Sequence, residues 1–207
     1  MKKFIFCIIL LIFAQVMVVM PADASSIFTF VPNPSNFNDL DHYYYHLWGI
    51  NWNIPANEHI TGASFFIDDI NNWTTEANDH LFIGLLNEAP LGVHTYYDGQ
   101  GVGNAVKFYA NNHNIDYWHL DTYTDTQDSP GPSEDYLYTF NDADLAVLTT
   151  FLANGTFGLG LDADCHYWNK GAWLKIETSP TVPEPSTLAL TFFSLLSGFG
   201  VRKRQRG

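Results

Sequence analysis

The residues best suited to chemistry fall in one short run, Gly158-Leu159-Gly160-Leu161-Asp162-Ala163-Asp164-Cys165-His166-Tyr167-Trp168-Asn169. On a strand, side chains two apart share a face, so Asp162, Asp164 and His166 would line one side and Ala163, Cys165 and Tyr167 the other. Residues two apart are separated by roughly 7 Å. Two carboxylates and an imidazole at that spacing can ligate a metal ion or form a buried polar network. Asp162, Asp164 and His166 are therefore the candidate metal ligands, and the dominance of carboxylates makes Ca²⁺ the expected ion. An EF-hand is excluded: counting from Asp162, Tyr167 falls at the sixth loop position, which needs glycine, and Trp173 at the twelfth, which needs glutamate.

The second chemistry open to these residues is glycoside hydrolysis by paired carboxylates. Asp162 with Asp164, Asp68 with Asp69, and Asp142 with Asp144 are all available. In a chain with 22 Asp and Glu, however, such pairs arise without any chemical purpose. There is no nucleophile elbow, no HExxH and no CxxC. The glycine-rich stretch Asp98-Gly99-Gln100-Gly101-Val102-Gly103-Asn104 reads as a loop rather than a phosphate cradle, because no strand-to-helix pattern frames it. No catalytic residue is assigned, and a non-catalytic reading is preferred. For His166 alone a satisfied structural role is the commoner one, and the flanking aspartates narrow that gap.

The elements that must position these residues are strands. Segments rich in aromatic and branched residues recur at Ser26 to Val31, Tyr43 to Trp48, Ile60 to Ile70, His80 to Leu86, Val106 to Tyr109, Tyr117 to Tyr123, Tyr136 to Phe140, Thr156 to Leu161 and Ala172 to Glu177. Between Ile60 and Ile70, Ala63, Phe65 and Ile67 alternate with Gly62, Ser64, Phe66 and Asp68, so one face is buried. One short helix is predicted near residues 143–153. Asp142 is the expected cap, Asp144 lies at the positive end of the dipole, and Leu145, Leu148 and Leu152 form the apolar stripe. Asn154-Gly155 would end it. The expected fold is all-β, an antiparallel β-sandwich or jelly roll with a single short helix.

Both ends of the chain read as addresses. Lys2-Lys3, the apolar run Phe4 to Met20 and Ala22-Asp23-Ala24 make a signal peptide over residues 1–24, cut between Ala24 and Ser25. At the other end, Val182-Pro183-Glu184-Pro185-Ser186-Thr187 precedes an apolar run from Leu188 to Val201 and then Arg202-Lys203-Arg204-Gln205-Arg206. That apolar run is roughly 21 Å long as a helix, short against a hydrocarbon core of roughly 30 Å. The basic end favours the cytoplasmic side.

This order of parts resembles the PEP-CTERM sorting signal of Gram-negative bacteria. The resemblance implies export through signal peptidase, transient anchoring in the inner membrane, and cutting by an exosortase near Pro183, Glu184 and Pro185. The product would then sit on the outer surface or outside the cell. Residues 25–178 would form the domain, 179–187 a Pro-rich linker exposing Ser179-Pro180-Thr181 as a stub, 188–201 a short transmembrane segment and 202–207 a basic cytoplasmic tail. The run from Phe157 to Gly171 is also similar to a segment recurring in secreted PEP-CTERM proteins of unassigned function, which usually carry Pro where this chain has Ala163. The likeness extends to Ile60-Thr61-Gly62-Ala63-Ser64 and to Leu81 through Leu86.

Trimmed of both addresses, roughly 155 residues remain, enough for one domain with a real core. They carry twenty acids against Lys107, Lys170 and Lys175, a net charge of −17. Such a surface repels nucleic acid and anionic lipid and attracts divalent cations. Cys7 leaves with the signal peptide, so no disulfide can form within the mature chain, and Cys165 is expected to be buried. Three functions fit. The first is a non-catalytic module of the exopolysaccharide matrix, stabilised by Ca²⁺, with some of its tryptophans and tyrosines facing sugar. The second is a carboxylate-dependent glycoside hydrolase. The third is a purely structural surface protein without ligand.

Overall fold

Alternation along the strands sets the architecture. In the computed structural model, which describes residues 25–72, 79–97, 115–126 and 132–181, the described strands pair into two sheets. The elements are β1 (Ser26–Phe30), β2 (Tyr44–Asn51), β3 (Glu58–Asn72), β4 (Asp79–Leu86), β5 (Gly92–Tyr97), β6 (Tyr117–Asp125), β7 (Glu134–Thr139), α1 (Asp142–Phe151) with a 3₁₀ turn (Leu152–Asn154), β8 (Thr156–Ala163), β9 (Tyr167–Trp168) and β10 (Gly171–Pro180). Sheet one runs β1-β10-β3-β7, with β9 paired to the end of β3; sheet two runs β5-β2-β8-β4-β6. The strand pairs are antiparallel, giving the expected all-β sandwich with one short helix.

Between the sheets, Phe65, Ile67 and Ile70 of β3 and Leu174 and Ile176 of β10 meet Leu81, Ile83 and Leu85 of β4 and Phe157, Leu159 and Leu161 of β8, all fully buried. Each such side chain contributes roughly 1.5–3 kcal/mol by leaving water. Gly155 ends the helical segment at φ 76°, a left-handed conformation that costs glycine little.

Several expectations need correction. The helix is capped by Asn141, not Asp142: the Asn141 side chain accepts from the backbone of Ala143 and Asp144, and Asp144 accepts from Asn141 in return. Edge strand β5 carries no strand signal in the sequence, since its exposed residues give no apolar period. Strand β10 runs on to Pro180, and the Thr181 N–H donates to the Asn57 carbonyl at 2.6 Å. Ser179, Pro180 and Thr181 are therefore part of the folded domain rather than a stub.

The predicted strand at Val106 to Tyr109, the glycine-rich loop, residues 1–24 with Ala24, the Pro183-Glu184-Pro185 motif and the segments 188–201 and 202–207 lie outside the described residues. Ser25 is described and exposed. Among the described residues no helix is long and apolar enough to cross a membrane.

Candidate functional site

The trio expected on one strand face has three separate sets of neighbours. Phe157, Leu159, Leu161 and Ala163 fill the inner face of β8, so Asp162 lies on the other face, fully buried, opposite Tyr45 of β2 and Phe82 of β4. The strand stops at Ala163 and the chain bends at Asp164 and Cys165, which ends the alternation. Asp164 is clamped to β4: its Oδ1 accepts the His80 backbone N–H, its Oδ2 lies 3.0 Å from His80 Nδ1, and its own N–H donates to the His80 carbonyl at 3.0 Å. Burial raises the pKa of Asp164, and the bonds from His80 oppose that rise.

His166 turns elsewhere, with Nδ1 3.7 Å from Asp41 and Nε2 3.9 Å from Asp39. Tyr167 and Leu40 exchange backbone bonds of 2.8 and 3.0 Å beside it. The run thus clasps the end of β8 to β4 on one side and to the 39–41 loop on the other. Ala163, Cys165 and Tyr167 are all buried in the core, Cys165 as expected.

Among the described residues the acidic side chains that converge are Asp68, Asp69 and Asp135, a different set. Each offers one oxygen, and these oxygens lie within 4.8 Å of one another, so the group can hold a metal ion. A bulge makes this possible. The register of β3 on β7 shifts between Ile67 and Ile70, and Asp69 adopts φ 50°. Regular pleating would send Asp68 and Asp69 to opposite faces; the bulge re-aims the second carboxylate.

The Asp69 N–H donates to Asp135 Oδ1 at 3.2 Å, Ser133 Oγ donates to Asp69 Oδ1 at 2.8 Å, and the Lys170 ammonium touches Asp69 Oδ2. The Lys170 bond, then the Ser133 bond, lowers the pKa of Asp69, and the same contact raises that of Lys170. An ion here competes with Lys170 for Asp69. Sequence reading paired Asp68 with Asp69 but had no means of adding Asp135 or Lys170, which only strand pairing brings alongside.

Beside the bulge, the outer face of sheet one carries an apolar stripe. Phe66 of β3 lies opposite both Trp173 of β10 and Leu137 of β7. The Phe66 and Trp173 rings stack at 5.0 Å and 18°, Leu137 is 58% exposed, and Lys175 Nζ sits 5.0 Å from the Trp173 ring centre. One register step away, Thr139, Ser64 and Lys175 make a polar row; one step the other way, Asp68 borders the acidic group.

Other acids are committed to holding the fold. Buried Asp144 accepts from Trp118 Nε1 at 2.8 Å, Tyr138 OH at 2.7 Å and Asn141 N at 3.0 Å, which takes it out of any pairing with Asp142. Tyr136 donates to Asp121 and Tyr123 to Glu134, each at 2.8 Å. Burial first, then these carboxylates, pushes the three tyrosine hydroxyls well above their ordinary pKa. No protein-family model matches the chain, and no curated protein matches its sequence.

Proposed function

We propose that the protein is exported, processed near Pro183-Glu184-Pro185 by an exosortase after transient anchoring in the inner membrane, and works at the cell surface or beyond as a non-catalytic module of the exopolysaccharide matrix. The observation that carries the binding half of this reading is the stripe Leu137, Phe66 and Trp173 across strands β7, β3 and β10 of sheet one. A flat aromatic surface suits the apolar faces of sugar rings, and the polar row on one side with the acidic group on the other supplies partners for hydroxyls. A net charge of −17 over the trimmed chain repels a polyanion, so the saccharide is a neutral one. Ca²⁺ is the ion assigned to Asp68, Asp69 and Asp135, as the hard, oxygen-preferring cation of an export compartment.

Retention on immobilised neutral polysaccharide, including that of the host, tests the stripe. Trp173→Ala is expected to weaken retention roughly tenfold, equivalent to about 1.4 kcal/mol, while Trp168→Ala, at an exposed tryptophan away from the stripe, leaves it unchanged. Equal retention by parent and Trp173→Ala would overturn the reading. The clasp made by Asp164 and His166 supports the alternative of a purely structural surface protein, which predicts no retention by any of the three proteins.

A further inference from the structure

We propose that one end of the space between the sheets is a buried calcium site, in which the carboxylates of Asp79 and Asp125 and the side-chain oxygen of Asn72 hold the ion beside the Tyr167 hydroxyl. The proposal stands apart from the saccharide reading and from the exposed acidic group at the bulge.

Alternation places all four residues inward. Asn72 follows Ile70 on the inner face of β3, Asp79 precedes Leu81 on that of β4, and Asp125 follows Tyr123 on that of β6. Asp79 and Asp125 are direct register partners, and their exposures are only 9% and 4%. Side chains directly opposite on antiparallel strands have Cβ atoms roughly 5 Å apart, and like charges there destabilise the pair. Low dielectric magnifies that repulsion.

Two neutral oxygens point to an occupant. Asn72 is fully buried; its Nδ2 donates to Asp79 Oδ2 at 2.8 Å, while its Oδ1, on the same amide, is buried without a hydrogen-bond partner. Tyr167 is also fully buried, its ring edge-on to Tyr123 at 5.8 Å, and its hydroxyl has no hydrogen-bond partner. Burial, then the charges of Asp164 and Asp79, raises the pKa of that hydroxyl, which sets its oxygen in the field of Asp79 among the proposed ligands. A buried polar atom left unsatisfied costs roughly 1–3 kcal/mol. A divalent cation answers both problems, cancelling the two carboxylate charges and giving the orphaned oxygens a partner. Ca²⁺ fits best, because it accepts irregular all-oxygen shells, whereas Mg²⁺ keeps several waters in strict octahedral geometry and Zn²⁺ prefers nitrogen and sulfur.

The test follows melting of chelator-treated mature protein in Ca²⁺ and in NaCl of matched ionic strength, and tyrosine-excited luminescence of added Tb³⁺. Ca²⁺ is expected to raise Tm beyond NaCl in the parent and in the bulge variant Asp68→Asn/Asp135→Asn, and the rise is lost in Asp125→Asn. Should Asp125→Asn fail to fold, Tyr167→Phe decides the matter, since Tb³⁺ emission falls when the nearest sensitiser loses its hydroxyl contact. A Ca²⁺ response lost in the bulge variant and kept in Asp125→Asn overturns the buried site, as does Tb³⁺ emission unchanged by Tyr167→Phe. No Ca²⁺ response beyond that of NaCl in the parent also overturns it.

Discussion

Asp144 and Asp69 look alike in the sequence, each one member of a closely spaced acidic pair, and the fold treats them in opposite ways. Asp144 is buried, and its carboxylate is met by an indole, a phenol and the backbone N–H of the helix cap. Asp69 stands on a bulge at the surface, grouped with two more carboxylates and answered by the exposed Lys170 ammonium and the Ser133 hydroxyl. The difference teaches where function can reside. A carboxylate surrounded by donors is a fixture of the fold, because every donor was placed to make its burial tolerable. A carboxylate grouped with other carboxylates keeps a field that attracts a cation.

The comparison breaks if the two sites respond alike to truncation. Asp144→Ala strands three donors and is expected to cost about 4 kcal/mol, with water meeting the more exposed of them, or roughly 12 °C in Tm for a domain of this size. Asp68→Ala should change stability by less than about 0.5 kcal/mol. Urea unfolding of the two variants measures both, and a comparable loss in each would remove the distinction.

A second buried group sharpens it through pH. His46 is 3% exposed, its Nδ1 lies 3.1 Å from Thr95 Oγ1, and burial lowers its pKa from 6.5 to about 4, although Asp41 pulls the other way. A depressed histidine favours the folded state while it is neutral, so its contribution is complete above pH 6.5 and is lost as pH falls towards about 4. The loss amounts to about 3 kcal/mol, at 1.36 kcal/mol per pKa unit. Unfolding measured across that range should show the decline, and His46→Asn should flatten it. A parent whose stability is level from neutral to pH 4 would refute the assignment.

The smallest effect is the most diagnostic for the surface group. Lys170→Ala removes an exposed ion pair, so Tm in the absence of divalent ions should not move measurably. Ca²⁺ binding at the bulge should tighten several-fold, because the competing ammonium is gone. Unchanged Ca²⁺ affinity in a calorimetric titration would mean that Asp69 is not a ligand.

The fold was legible where burial writes a period. Ala63, Phe65 and Ile67 announce the inner face of β3 from the primary sequence alone. Edge strand β5 was not, because His94, Thr95 and Tyr97 are exposed and nothing forces a pattern on them. The candidate site was harder to read for a different reason. Its decisive events are a left-handed aspartate at position 69 and the arrival of Asp135 from a strand distant in sequence, and neither leaves a local signature. The run from Asp162 to His166 failed as a common face because one bend after Ala163 suffices to reset the alternation. The capping error was narrower: Asn141 and Asp142 are both good caps, and only the reciprocal bond to Asp144 chooses between them.

The extension of β10 to Pro180 has a mechanical consequence. Trp173 and the Thr181 end of the described chain lie on the same strand, which is bonded to β1 along one edge and to β3 along the other. Tension between a load held at Trp173 and an attachment beyond Thr181 would run lengthwise down β10. Hydrogen bonds perpendicular to that pull are strained together in shear rather than opened one after another, as they would be if the strand were peeled from an edge. A strand loaded this way would resist rupture with the whole ladder at once, leaving sheet two outside the line of force.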